Sequence, residues 1–448
     1  MIDTPQLPRA VVWWVYISGL ALACNTITGA PTATLPPTSP PPSATPKPTL
    51  APTDTAPPPT RTPPPTSTPD PFPDPVLKVA GEEEIVFDWT TDRCEREQIP
   101  DLAVRAFRDR AGQVQLITSH YVNYRMTGPD LNQLTPDCRP VMRSDRNADP
   151  AMFNDHEWLA SLYTEDGQTI YALVHVEYQG HTHLGQCPSN DYFSCWYNTI
   201  TLAVSEDGGV SYHDAAPPPS HLVATLPIVY LPDEGPYGVR SPSNIIKGQD
   251  GYYYAFLQII YHKTHDQWVC LMRTQDLADP KSWRYWNGEA FEGQFANPYT
   301  ERISNRFDYV CEDIDWDNIG ASMVESITYN TAMNRYVLVG LSADHLDGRE
   351  VWGVFYSFSQ DLIHWTRRKL LLELSLPWTV RNPGSDVSHL YPSLLDPDSL
   401  SRNFETTDTT AYLYFTRNNF GQGGLDRDLI RVPVEFFPSQ AEADAAGP

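Results

Sequence analysis

Ser241-Pro242-Ser243-Asn244-Ile245-Ile246, a turn at Gln249-Asp250-Gly251, and then the aromatic and aliphatic run 252–257 form the stretch on which the fold turns. Asp and Gly between two apolar segments of this length carry the chemistry of a β-hairpin. The same unit recurs. Residues 102–107 turn at 109–112 into 114–117, and residues 158–163 turn at 165–167 into 170–174. Residues 322–329 turn near 330–334 into 336–341, and residues 391–395 lead through a longer turn into 411–415. The hairpins begin near residues 102, 158, 241, 322 and 390, a step of about 72 residues.

A four-stranded sheet with its loops fits that step, and repeats of this kind predict an all-β, five-bladed β-propeller, with six blades as the alternative count. Pro and Gly interrupt every long stretch, and no run with a 3.6-residue period persists. The segment 84–87 is expected to pair with the last strand, 429–434, and so close the ring. The propeller domain is assigned to residues 77–438, with a disordered tail at 439–448.

The chain ahead of the domain has a different character. Arg9 precedes an apolar run over residues 10–23, too short to span a bilayer core of about 30 Å as a helix and fitting a signal peptide at 1–23. The run ends Ala21-Leu22-Ala23-Cys24, which resembles the lipobox of bacterial lipoproteins and implies acylation of Cys24; ordinary secretion and an uncleaved signal anchor are the alternatives. Between Pro31 and Pro75 there are 19 Pro and 11 Thr. That composition makes residues 24–76 a lipidated cysteine and a disordered, extended linker. The localisation that follows is exported and bacterial, lipid-anchored to the cell membrane and facing the extracellular side.

Residues 1–76 hold four acids and three bases, so the domain carries nearly all of the −25 net charge. An acidic surface argues against nucleic acid and against anionic lipid, which leaves the lipid anchor as the membrane contact. Six cysteines remain besides Cys24: Cys94, Cys138, Cys187, Cys195, Cys270 and Cys311. An even number in an exported chain reads as disulfides. Six allow 15 pairings, and sequence order favours Cys94–Cys138, Cys187–Cys195 and Cys270–Cys311.

Ser205-Glu206-Asp207-Gly208-Gly209-Val210-Ser211-Tyr212 resembles the Asp box of sialidases, with looser versions at Thr274 to Trp283 and Ser359 to Trp365; these are structural turns. Together, the Ser-Pro-Ser-x-Ile-Ile … Asp-Gly-Tyr-Tyr-Tyr hairpin and the Ser-x-Asp-Leu-x-x-Trp turn resemble the five-bladed arabinanase/levansucrase/invertase superfamily of glycoside hydrolases. That resemblance implies a site on the propeller axis with Asp and Glu on the first three blades. The third hairpin opens Tyr237-Gly238-Val239-Arg240-Ser241 without a Glu, and the first offers only Asp101, a departure from the pattern.

Propeller topology sends the starts of inner strands and the ends of second strands to one mouth. Glycosidic hydrolysis requires one protonated and one ionised carboxyl, roughly 5–9.5 Å apart. The catalytic candidates are Asp155 or Glu157 as base or nucleophile, and Glu177 or Glu325 as acid. Substrate-binding candidates are His156, Trp158, His175, Tyr178, Arg240, Ser241, His389, Tyr391 and Arg417. A third reading is sialidase-like, with Arg105, Arg240 and Arg417 gathered on a substrate carboxylate. No cofactor or metal is assigned. A structural calcium at Asp313, Asp315 and Asp317 is weighed against a solvated acidic loop, the reading preferred, and zinc at His181 and His183 lacks a third ligand. The expectation is a monomeric, surface-tethered, glycan-active propeller that partners carbohydrate, either a glycoside hydrolase or a non-catalytic glycan- or protein-binding module.

The anchor is tested by metabolic labelling with a clickable fatty acid in a bacterial host. The intact chain takes up label and Cys24→Ser does not; an unlabelled parent chain contradicts the lipoprotein reading.

Overall fold

The structure is a computed structural model that describes residues 74–380, 387–420 and 423–447. The signal segment, Cys24 and the stalk to residue 73 lie outside the described residues. Among the described residues the chain is nearly all β, and no helix is long and apolar enough to cross a membrane.

The strands form antiparallel meanders in chain order. The first runs Arg105–Arg108, Val114–Thr118, Val122–Gly128 and Thr135–Arg143. The second runs His156–Tyr163, Ile170–Gln179 and Trp196–Ser205, edged by His213–Asp214 and Leu222–Ala224. The third begins with Tyr237–Arg240 and Ile246–Lys247, then Tyr253–Ile260, Gln267–Thr274 and Arg284–Trp286, with Phe291–Gly293 beyond. The fourth is Ser326–Asn330, Arg335–Leu346, Arg349–Ser359 and Lys369–Glu373. The fifth takes Ser388–Leu395, Thr410–Asn418 and Arg427–Phe437 from the end of the chain and Val76–Val79 from its start. Glu84–Phe87 also pairs with Arg427–Phe437, Ile85 opposite Ile430, as its sequence predicts. A parallel pairing of Tyr237 and Gly238 with Tyr197 and Asn198 joins the second and third meanders. Gly238 lies at φ 125° with Asn198 backbone where a Cβ would stand, so only glycine fits there.

Successive strand residues face opposite sides, so one strand serves two cores. Phe256 enters a cluster with Leu338 and Phe355 of the fourth meander, while Leu257 beside it packs with Tyr197 and Ile200 of the second. Val354 and Val337 meet Leu413 and Ile430 between the fourth and fifth meanders. Tyr414 and Leu429 meet Val104 and Leu116 between the fifth and first. Phe107 and Ile117 meet Leu159 and Val174 between the first and second. The apolar clusters therefore follow one another in a closed cycle.

A second cycle, of hydrogen bonds, runs through the first strand of each meander. Ser393 Oγ donates to the Val104 carbonyl at 2.8 Å, and Leu394 N–H to Ser326 Oγ at 3.1 Å. Asn244 exchanges two bonds of 2.8 Å with Ile327, and Ser161 Oγ donates to the Ser243 carbonyl. Arg105 Nε completes the circuit on the Ala160 carbonyl at 2.9 Å. The same buried guanidinium donates to the carbonyls of Glu325 (2.6 Å) and Pro242 (3.4 Å) and to Ser393 Oγ (3.4 Å), touching every other first strand. Burial pulls its pKa down to about 9, which leaves it charged at neutral pH. The cavity beside it measures about 10 Å³, room for a single water at most.

All three disulfides form as sequence order favours: Cys94–Cys138, Cys187–Cys195 and Cys270–Cys311. The turn from Ser205 to Tyr212 is folded by Asp207, whose Oδ1 accepts from Val210 and Ser211 N–H while Ser205 Oγ accepts from Gly209. In the acidic loop, Asp313 accepts from Val269 N–H and Asp315 from Trp365 N–H and the Asn318 amide. The structure departs from the sequence reading at the domain's two borders. Ordered strand begins at Val76, inside the expected linker. The expected disordered tail instead forms a helix, Gln440–Ala445, capped by Ser439, with Ala443 buried and its carbonyl bonded by Lys78.

Arg105→Met keeps the bulk on the axis but leaves the carbonyls of Ala160, Pro242 and Glu325 without their donor. A buried acceptor without a partner costs roughly 1–3 kcal/mol. Urea unfolding is expected to show a loss of at least about 3 kcal/mol; an unchanged midpoint contradicts the axial role.

Candidate functional site

The end of the axis where first strands begin and second strands finish gathers most of the expected site. Trp158 Nε1 and the Tyr391 hydroxyl each donate to Asp101 at 3.3 Å, from the second and fifth meanders. Arg427 forms an ion pair with the same carboxylate. The Trp158 ring lies 5.9 Å from that of His175 and 6.4 Å from that of His156. His120 closes the group 5.8 Å from Trp158, its Nδ1–H held by the Glu97 carbonyl at 3.0 Å. Burial drives His120 down to about 4, so it is neutral above mildly acidic pH.

His175 and Glu177 share one strand face, as their two-residue spacing dictates. The Ser241 N–H donates to His175 Nδ1 at 3.3 Å, which puts the ring proton on Nε2, and Nε2 lies 3.3 Å from Glu177 Oε1. Glu177 Oε2 accepts from the Gln179 amide (2.8 Å) and the Tyr192 hydroxyl (3.2 Å). Burial pushes Glu177 upward, but these donors, His175 first and the Arg240 charge with them, bring it below the ordinary glutamate value. It is ionised.

Glu325 behaves oppositely. It sits at the mouth of the fourth meander, its Oε2 accepting from Val324 and Leu341 N–H at 3.2 Å. Gly340 opposite leaves the space that its carboxyl fills. Burial outweighs those bonds and the Arg105 charge, and raises its pKa to about 7. The Tyr391 phenol, itself pushed up by burial, feels the charges of Glu177, Arg240 and Glu325.

Asp155 forms the anchor of a loop. Its carboxylate accepts from Gln179 N–H at 2.8 Å, and its Oδ1 is 3.0 Å from both His156 Nδ1 and His183 Nε2. His183 belongs to the loop 180–195, which the Cys187–Cys195 bridge ties off and which lays Tyr192 over Glu177. Tyr192 stacks on Trp196, ring centroids 5.1 Å apart.

Other expected residues point elsewhere. Glu157 alternates away from His156 and Trp158, and its Oε2 accepts from Asp145 N–H at 3.0 Å. Burial, with the charges of Asp214, Asp145 and Asp155, raises it to about 8. Tyr178 donates to the Ala148 carbonyl and packs on Tyr230. His389 is buried against Phe415 and held down to about 4. Arg417 pairs with Asp428 and Glu83, and Arg105 lies on the axis, so the three arginines of the sialidase-like reading do not meet. Asp101 and His120 fall at strand ends that propeller topology sends to this mouth, whereas nothing local in the sequence marks Arg427, Tyr192 or Trp196 as site residues. Asp101 was visible as the one acid opening the first hairpin.

Across solved structures the chain is similar in shape to several arabinan-degrading enzymes. A Cellvibrio cellulosa α-L-arabinanase, solved with arabinohexaose, is 12% identical over 74% of this chain and 91% of its own, with a TM-score of 0.43. An endo-arabinase of Bacteroides thetaiotaomicron is 10% identical over 78% and 97%, at 0.41, and a Bacillus subtilis arabinanase is 13% identical over 71% and 90%, at 0.36. No family profile and no curated protein matches the chain. At such TM-scores the fold is read from strand pairing and the axial bonds instead.

Glu157 gives a pH test. Its folded pKa of about 8 exceeds its ordinary 4.5, so folding favours the protonated form. The contribution is present in full below pH 4.5 and is lost as pH rises through about 8. Glu157→Gln should match the parent chain in melting temperature at pH 4.5 and exceed it by a few degrees at pH 9. A gap independent of pH contradicts this assignment.

Proposed function

We propose that the meanders are the blades of a five-bladed β-propeller held at a bacterial cell surface by a lipid on Cys24, and that its mouth hydrolyses glycosidic bonds. What supports this reading is that two carboxyls, both acting on Tyr391, are held in opposite protonation states. Glu177 is held ionised and Glu325 is held protonated to near pH 7. Paired titratable groups pushed apart in this way divide the work of acid and base. Glu325 gives its proton to the departing glycosidic oxygen. A water that gives its proton to Glu177 bonds to the sugar carbon as the bond to that oxygen breaks, so each fragment leaves with a hydroxyl. Asp101 and Tyr391, half-buried here, offer a carboxylate and a phenol to a sugar, with Trp158 and His156 packed beneath them. Asp155 serves this site by clamping His156 and the loop 180–195, and so acts as a positioning residue.

A second reading, glycan capture without cleavage, is favoured by one feature. The Tyr192 hydroxyl lies on Glu177, so that carboxylate is covered unless the loop lifts.

The full chain is screened against aryl glycosides and polysaccharides. Hydrolysis falls above about pH 7 as Glu325 ionises. Glu325→Gln lowers turnover of unactivated glycosides by roughly 10²–10⁴-fold and spares aryl substrates with good leaving groups. Glu177→Gln lowers both. Activity indifferent to both changes contradicts the assignment, and binding without turnover selects the second reading.

A further inference from the structure

Arg240 closes the strand Tyr237–Arg240, its backbone paired with Gln258 where the third meander reaches the mouth. Its guanidinium lies 4.7 Å above the Trp196 ring. Its Nε is buried without a hydrogen-bond partner, and among the described residues no carboxylate forms an ion pair with it. Trp196 Nε1 is a second buried donor without an acceptor. The Arg240 charge acts on Glu177, Tyr192 and Tyr391, the groups that surround the opening.

Its neighbours do not fill this gap. Glu177 is committed to His175, Gln179 and Tyr192. Asp101 is committed to Arg427, Trp158 and Tyr391. The other arginines near the axis are occupied: Arg105 by carbonyls, Arg417 by Asp428 and Glu83, Arg427 by Asp101 and the Gly424 carbonyl. A rigid planar fork stacked on an indole, with a buried donor that no acceptor among the described residues meets, is complementary to a group that only accepts. A carboxylate has that character and the matching planar geometry.

We infer that Arg240 receives the carboxylate of an acidic sugar, so that the mouth takes uronate-containing glycans in preference to neutral ones. This rests on the mouth being a glycan site, and it adds the class of glycan. Glu177 supplies the balancing negative charge at a distance, which holds Arg240 in place without occupying its donors. The stack on Trp196 fixes the plane in which the carboxylate must approach.

The full chain is titrated with galacturonate and glucuronate oligosaccharides and with the galactose and glucose oligosaccharides of equal length, read by tryptophan fluorescence. Acidic oligosaccharides are expected to bind at least about tenfold more tightly, a preference that added salt weakens. Arg240→Gln should bring their affinity down to that of the neutral series, and Arg240→Lys should restore part of it, since an ammonium keeps the charge and loses the fork. Equal binding of acidic and neutral oligosaccharides, or a preference that survives Arg240→Gln with an unchanged melting temperature, overturns this inference while the glycan reading stands. Failure of both series to bind overturns the glycan reading and this inference with it.

Discussion

Arg105 is the one side chain on which strands from every part of the chain depend. It reaches the carbonyls of Ala160, Pro242 and Glu325 and the hydroxyl of Ser393, so that segments up to 288 residues away share one guanidinium. A charge so buried is tolerated because each of its donors finds an oxygen. Around it Ser161, Ser243, Ser326 and Ser393 occupy equivalent places on the other first strands and take part in the lateral bonds. Small hydroxyls allow the strands to approach an axis that a larger side chain would hold open. The apolar clusters between meanders supply most of the burial, and the axial circuit fixes which meander faces which.

That closure creates the site. Asp101, Trp158, Glu177, Arg240, Glu325 and Tyr391 come from five different segments, and none lies beside another in sequence. They are gathered where first strands begin and second strands finish. Burial and neighbours there decide protonation. Glu177, surrounded by donors, ionises. Glu325, held by backbone N–H groups but, among the described residues, by no charged or side-chain donor, keeps its proton to near neutrality. The disulfide-bridged loop over Glu177 adds a cover, fixed by His183 on Asp155 and by Tyr192 on Glu177.

Much of this was legible in the sequence because hairpin chemistry is local. The turns rich in Asp, Gly or Asn marked strands that the structure places at Trp158, Tyr253 and Tyr336, and the 84–87 strand could be matched to its partner. Strand parity could also have separated Glu157 from His156 and Trp158, since odd and even positions face different cores. The axial circuit was harder to see. A serine in a strand carries no local signal for a bond made to a residue some eighty positions away. The Arg427–Asp101 pair joins positions 326 apart, and nothing near either announces the other. The terminal helix did carry a signal: Ser439 followed by Glu442 is a helix-capping pattern, and its short apolar content hid it.

Native-state hydrogen exchange tests the closed circuit most directly. The amides of Ile327 and Leu394 are held by side chains of neighbouring meanders, Asn244 and Ser326. Peptides covering all the first strands should therefore exchange together, with the free energy of global unfolding. A first strand that exchanges early and alone, while its neighbours stay protected, contradicts a ring in which each meander holds the next.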